Sequence, residues 1–417
     1  MPKNLRLAAA MHQAGLKQRE LADRLNKRIE QLTGSPGVIS GRHVRDWLNG
    51  TIRWPRERQR RVLRDEFGMT PEELGFIPPS RPGPSPDRRT FIGTAAGAAA
   101  AAALPHSPAP VRPLQVGMSD VIRLREEVER LIVLDDKRGG HGLEQTALDG
   151  AAKALALRKD SAATQHVQRH LSAVAADFTS AAAWFLIDAG RLDRADRHLD
   201  RALTLAGMAQ DSDMTMKVWN LRAMLARQRH DFTEALAASQ AAQGTEIARH
   251  SPLHASLAHA RTAVGLAHSS DHGGALTCLE RAEDAMSRVD ERPPSAWIAF
   301  YGPAELASLT AIVRDVMGHP AEAEAASYRA LAALPEPYRR NKALTTARLA
   351  LAQLHQDEVE QGCATSGSVF TIMEGDPLPW RLRQLLGDFQ RDLIARAPSV
   401  RIAHEWADRY RTEWSSP

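Results

Sequence analysis

A short turn followed by an alanine-lined helix recurs through the second half of this 417-residue chain, and that recurrence limits the possible folds more than any other feature. Gly190 and Leu192 precede Ala195, Asp231 and Phe232 precede Ala235, Gly273 and Gly274 precede Ala275, and Gly318 with Pro320 precedes Ala323. These alanines stand 40, 40 and 48 residues apart, and Ala364 after Gly362 follows 41 later. A helix, a turn and a second helix fit that period. Each turn is preceded by an apolar amphipathic segment: residues 184–187, Trp219 to Leu225, residues 257–266, and Leu306 with Leu309 and Val313. Each is followed by small residues at i, i+3 and i+7, such as Ala235, Ala238 and Ala242. Side chains of that size let two helices approach closely, so the expected fold class is all-α, with stacked helical hairpins. Val121, Leu124, Val128 and Leu131 carry the helical period back almost to Pro113.

Composition points the same way, since 43% apolar but only 5% aromatic residues suit an alanine-rich helical protein better than a β-sandwich. The two cysteines, Cys278 and Cys363, lie 85 residues apart with no Cys-x-x-Cys. That argues against a disulfide framework and a cysteine zinc site, and a reducing cytoplasm is the expected location.

Nine prolines between Pro78 and Pro113 break the chain in two. Lacking the backbone donor and fixing φ, they rule out a long helix or inner strand and read as a semi-rigid tether. The expected division is therefore residues 1–77, a Pro/Ala-rich linker over 78–118, and residues 119–417. Within the linker, Arg88-Arg89 with Phe91, Ile92 and an alanine run resembles a twin-arginine export signal. Such signals open a chain, whereas here 87 residues with their own apolar period come first, and residues 90–104 are too short and weakly apolar to span a bilayer. The expectation is a short helix in the linker and no membrane partner.

The charge is divided as well. Residues 1–89 hold 18 Lys and Arg against 10 Asp and Glu, while the remainder holds 36 against 40. Basicity concentrated at one end suggests a nucleic-acid contact. Leu7 and Met11 fit one helix; Leu21, Leu25, Ile29 and Leu32 fit a second; Ser40 is a natural N-cap for a third. In that third helix Val44, Trp47 and Leu48 share one face, and Arg42, Arg45, Asp46 and Asn49 the other, with His43 between. A polar stripe of that size suits a major groove, where arginine forks to guanine O6 and N7. Arg56, Arg58, Arg60, Arg61 and Arg64 form a second basic cluster, free either to grip phosphate or to pair with Glu57, Asp65 and Glu66.

The motifs Gly15-Leu16-x-Gln18-x-x-Leu21-Ala22 and Val44-x-x-Trp47-x-Asn49-Gly50, in that order, resemble the lambda-repressor-like, xenobiotic-response-element-type helix-turn-helix family over residues 4–77. Residues 71–76 are similar to that family's closing helix, giving a five-helix reader. The resemblance implies double-stranded DNA as partner. It puts Arg42, Arg45 and Asp46 at base-reading positions, Gln18 on backbone and base edge, and Asn49, Arg53 and Arg56 on phosphate; Ser40 and His43, near the helix start, are further expected DNA contacts. One departure is the long connection from Asn26 to Gly37, read as a second helix lengthened by about two turns.

Residues 119–417 resemble the tetratricopeptide repeat family, with periods longer than its usual ~34 and without its Trp-x-x-Leu-Gly signature. Joined to a helix-turn-helix, such a solenoid is similar to the peptide-pheromone-receptor regulators of Gram-positive bacteria. In those the solenoid groove binds a peptide, often through asparagine amides. Only Asn220 and Asn341 are asparagines in this region. Trp219, Asn220, Arg222, Arg227, Asn341 and Arg348 are the expected effector contacts, with Trp219 equally readable as core. Absent are a Gly-x-x-x-x-Gly-Lys, a Gly-x-Ser-x-Gly and a His-Glu-x-x-His, and the i, i+4 pairs His166/His170, His250/His254 and His268/His272 read as surface histidines. The expected protein is not an enzyme, carries no metal or cofactor, and works as a homodimeric transcription regulator on a palindromic operator with a peptide or protein effector. Its rivals are an adaptor with a basic head and an exported helical binding protein.

Overall fold

The structure, a computed structural model, describes residues 4–77 and 116–414, apart from residues 15, 34–36, 38, 68, 139, 141, 161–162, 291–292, 337 and 377. The chain divides into two compact units, Met1–Ser107 and Pro108–Pro417. The described residues are all-α, with nineteen α-helices, one 3-10 helix and no strand. The linker expected over 78–118, with Arg88 and Arg89, lies almost wholly outside the described residues.

Among its described residues the first unit has four helices: α1 (Leu5–Gln13), α2 (Gln18–Thr33), α3 (Gly41–Leu48) and α4 (Glu57–Phe67). Their apolar faces meet in one core of Leu7, Leu21, Leu25, Val44, Trp47, Val62, Leu63 and Leu74, all fully buried. Residues 71–75 form a turn, not the expected closing helix. Thr70 caps that turn and pairs reciprocally with Glu73; Gly75, at φ +82°, then reverses the chain so that Phe76 packs edge-on against Trp47. A side chain at Gly75 would strike Asn4, so the turn stops where it meets the start of α1.

The second unit contains α5 (Met118–Arg138), α6 (Leu143–Asp160), α7 (Gln165–Asp188), α8 (Leu192–Ala209), α9 (Ser212–Gln228), α10 (Phe232–Gln243), α11 (Glu246–His250), α12 (Pro252–His268), α13 (His272–Ser287), α14 (Pro303–Val316), α15 (Pro320–Ala333), α16 (Arg339–His355), α17 (Val359–Ile372), α18 (Trp380–Arg396) and α19 (Arg401–Trp414). Helices α7 and α8, α9 and α10, α12 and α13, α14 and α15, and α16 and α17 pack as neighbouring pairs. Ala195, Ala235, Ala275 and Ala323 each sit fourth in the second helix of a pair and are buried. In α17 that place belongs to Gly362, whose added Cβ would stand 3.1 Å from the Ala350 carbonyl; Ala364 is exposed and is not the marker. The longer 48-residue step contains residues 288–302 with a 3-10 helix, Ala296–Ile298.

The turns obey a rule the glycines only half reveal. Gly190, His230, Ser270, Gly318 and Asp357 all have positive φ, between 59° and 78°, one residue before the next helix is capped. Gly273 and Gly274, expected in the turn, lie inside the first turn of α13, where Asp271 caps the Gly274 amide. Helix α7 is long and apolar enough to cross a membrane, and 83% of its most apolar stretch is buried by its neighbours.

The last helices come back to the first. Arg340 of α16 donates to Asp135 of α5 (2.9 Å) and Asp188 of α7 (3.0 Å), and Arg381 of α18 donates to Asp188 (2.8 Å) while lying 4.5 Å over the Trp184 ring. The two arginines hold the buried Asp188 carboxyl below its usual range against the opposing effect of burial.

Candidate functional site

In the first unit the short helix α3 is fixed at both ends and along one face. Ser40 accepts from the His43 amide, and His43 Nδ1 accepts from the Ser40 amide at 3.1 Å, a capping box with histidine in the place usually held by Glu or Gln. His43 thus holds the helix start and offers only Nε2 outward. At the other end the Leu48 carbonyl accepts from the Asn4 amide at 2.8 Å. The connection from α2 is pinned by one side chain: Asn26 Oδ1 accepts from the Ile39 amide (2.8 Å) and Asn26 Nδ2 donates to the Ile39 carbonyl (2.7 Å). A Cβ added at Gly41 would stand 4.0 Å from the Arg19 backbone, so the starts of α2 and α3 lie close together, and Gln18 is half-buried.

Because Val44 and Trp47 are wholly buried, the opposite face of α3 must look outward. Arg42, Arg45 and Asn49 are exposed and Asp46 is half-buried, its backbone carbonyl receiving the Thr51 and Ile52 amides. Arg53 and Arg56 are exposed beyond the helix; the Arg53 carbonyl accepts from Ile77, and the Arg56 amide donates to Gln59. Among the described residues Arg42, Arg45, Arg53, Arg56, Arg58, Arg61 and Arg64 form no ion pair, whereas Arg24 and Arg28 of α2 are both taken up by Glu66. Glu66 therefore reaches across to α2 instead of neutralising its own helix. Arg60 lies 4.8 Å over Trp54 and bonds the Pro55 carbonyl, so it braces the α4 start. Among the described residues these exposed guanidinium groups are uncompensated, each able to present two parallel donors to a pair of acceptors.

The second unit holds a cavity of about 230 Å³ between α5, α7, α9, α12, the 3-10 helix, α14, α16 and α18. Four of the six expected effector residues line it: Asn220, Arg227, Asn341 and Arg348. The other two do not. Trp219 is half-buried against the core around α12 and α13, which is the core alternative for that residue. Arg222 faces elsewhere and is paired with Asp196, Asp200 and Glu234. Sequence reasoning missed Lys217, Arg261, Glu305, Arg340 and Arg381, along with Trp184 and Trp297. A signal existed: Lys217, Asn220, Met224 and Arg227, and likewise Asn341, Thr345 and Arg348, follow helical spacing on first helices of their pairs.

Two further polar clusters brace this unit. Asp213 of α9, pushed up by burial, is nonetheless held below its usual range by donors at His254, Trp297 and Ser295. His268 stacks flat on Phe232 at 3.8 Å, and burial with the nearby Arg227 brings its pKa down to about 4. His254 and His268 are therefore packing residues, contrary to the expectation of surface histidines; His250 and His272 are exposed. Cys278 and Cys363 are buried free thiols.

Comparison of the chain with known protein families and with curated proteins finds no match.

Proposed function

We propose that this chain is a sequence-specific DNA-binding regulator of transcription. In this reading α2, its connection and α3 are a helix-turn-helix of the lambda-repressor-like type, with α3 as the recognition helix. Arg42 and Arg45 read base edges in the major groove, with Asp46 and Gln18 beside them; Asn49, Arg53 and Arg56 hold phosphates and set the register. The second unit is a tetratricopeptide-like solenoid that senses a peptide or protein effector and pairs two copies of the chain in the cytoplasm.

The observation that carries the reading is the unspent charge on α3. Elsewhere in this protein some surface arginines find carboxylates, as Arg229 and Arg339 do, and others, such as Arg197, Arg201 and Arg281, have no ion pair among the described residues. Those on the outward edge of α3 are likewise unpaired among the described residues, and they share one face of a helix that is capped at its start and bonded at its end. Fixed, uncompensated donors on a helix narrow enough for the groove match what base reading requires.

Genome-wide mapping of DNA occupied by the intact chain tests the proposal. Discrete sites are expected, each with two-fold related halves about 10 base pairs or a multiple of it apart, since one such module seldom binds tightly alone. Occupancy without enriched sites contradicts it.

A further inference from the structure

Two guanidinium groups at the cavity of the second unit are not accounted for by its own packing. Around them, Lys217 pairs with Asp177, Arg261 with Glu305 and the Asn220 carbonyl, Arg340 with Asp135 and Asp188, and Arg381 with Asp188. Arg227 and Arg348 line this cavity and a neighbouring one of about 200 Å³, yet among the described residues neither guanidinium makes a hydrogen bond or an ion pair. Burial drives the Arg227 pKa well below its ordinary value, with Arg348 and Arg261 adding repulsion; burial brings Arg348 down to about 10 against the pull of Glu305. Both stay charged at neutral pH. Both residues are half-buried in the cavity wall, and with no carboxylate paired to either among the described residues, two guanidinium groups facing one cavity form a site for an anion from outside the chain.

The rest of the lining sets the shape of that anion. Trp184, Phe185, Leu221, Leu309, Ile312 and Leu344 give an apolar wall, and the Asn341 amide, also without a partner in the described residues, adds a neutral donor. The volume admits a head group and a short chain, not a folded domain. The geometry points to an amphipathic carboxylate as the occupant, its head held by Arg227 and Arg348 and its tail against the apolar wall. This deepens the sensing role proposed above, and rests on that reading for its regulatory consequence alone. A free carboxylic acid and the C-terminal carboxylate of a short apolar peptide share this chemistry.

Calorimetric titration of the intact chain with octanoate, octanamide, and an apolar tripeptide as its free acid and its amide tests the inference. Saturable binding of an acid is expected, about tenfold or more tighter than its amide, since a hydrogen bond to a charged group is lost in the amide. Arg227→Met and Arg348→Met should each weaken acid binding by a similar factor, about tenfold. Without ligand, both variants should melt no lower than the parent, because each removes an unpaired charge; that separates lost binding from lost folding. Binding of octanoate alone assigns the free acid, and binding of the tripeptide acid assigns the peptide; either upholds the inference. No binding by either acid, equal binding of acid and amide, or parental affinity in both methionine variants overturns it. DNA retention measured on the same samples keeps the two readings apart: an acid that binds without changing retention upholds the cavity assignment and contradicts the sensing role.

Discussion

Asn26 secures with one amide a connection that would otherwise leave backbone polar groups unmet. Replacing it by alanine strips partners from both the N–H and the C=O of Ile39, at a cost of about 2 kcal/mol to the local fold. Amide exchange in α3 of the intact Asn26→Ala protein should accelerate about tenfold or more; unchanged exchange would show that something else holds the connection. Nothing in the sequence singles Asn26 out, because its role depends on a residue thirteen positions away meeting its side chain. Arg42 and Arg45 were legible for the opposite reason: helical spacing alone puts them opposite Val44 and Trp47, and a cap at Ser40 fixes where that spacing begins. His43 was legible as a residue near the helix start but not as half of a capping box, since histidine rarely takes that part.

Among the elements, the helical hairpins were visible in the spacing of Ala195, Ala235, Ala275 and Ala323, and two of their turns in Gly190 and Gly318, while the residue that makes each of the other turns was not. Positive φ at His230, Ser270 and Asp357 is imposed by the helices on either side, so glycine marks only some of the turns and misleads at Gly273. The closing helix expected at residues 71–76 failed because Gly75 turns the chain back against Asn4 after a single capped turn. Helices α14, α16 and α18 are tied together by His355 of α16, which lies 2.6 Å from Asp315 of α14 and 3.0 Å from Asp392 of α18. The bond to Asp315 leads in raising the His355 pKa, against burial and with Asp392 assisting. Stabilisation by this pairing is thus complete below the pKa of an unfolded histidine and fades as pH rises through the raised folded value. Stability lost on His355→Gln, measured by urea unfolding, should be larger near about pH 6 than near about pH 9; equal losses would mean the ring is held as a neutral group.

At the scale of the molecule, all-α character was legible in the helical period of the sequence. The cavity was not, since its walls come from helices spread between Ile132 and Arg381 and meet only because α16 and α18 return to α5 and α7. Asp188 takes both returning arginines, with Asp135 as a second partner of Arg340. Asp188→Ala leaves Arg340 and Arg381 without that buried carboxylate and should cost about 3 kcal/mol in urea unfolding; a loss under about 1 kcal/mol would mean the carboxylate does not hold the ends together. The central claim concerns the other unit and is tested most directly by nuclease footprinting of the intact chain on a mapped site, parent against the Arg42→Ala, Arg45→Ala double variant. Protection should vanish in the double variant while its helical circular dichroism stays that of the parent. A footprint unchanged in position and strength would contradict the assignment of α3 as the helix that reads DNA.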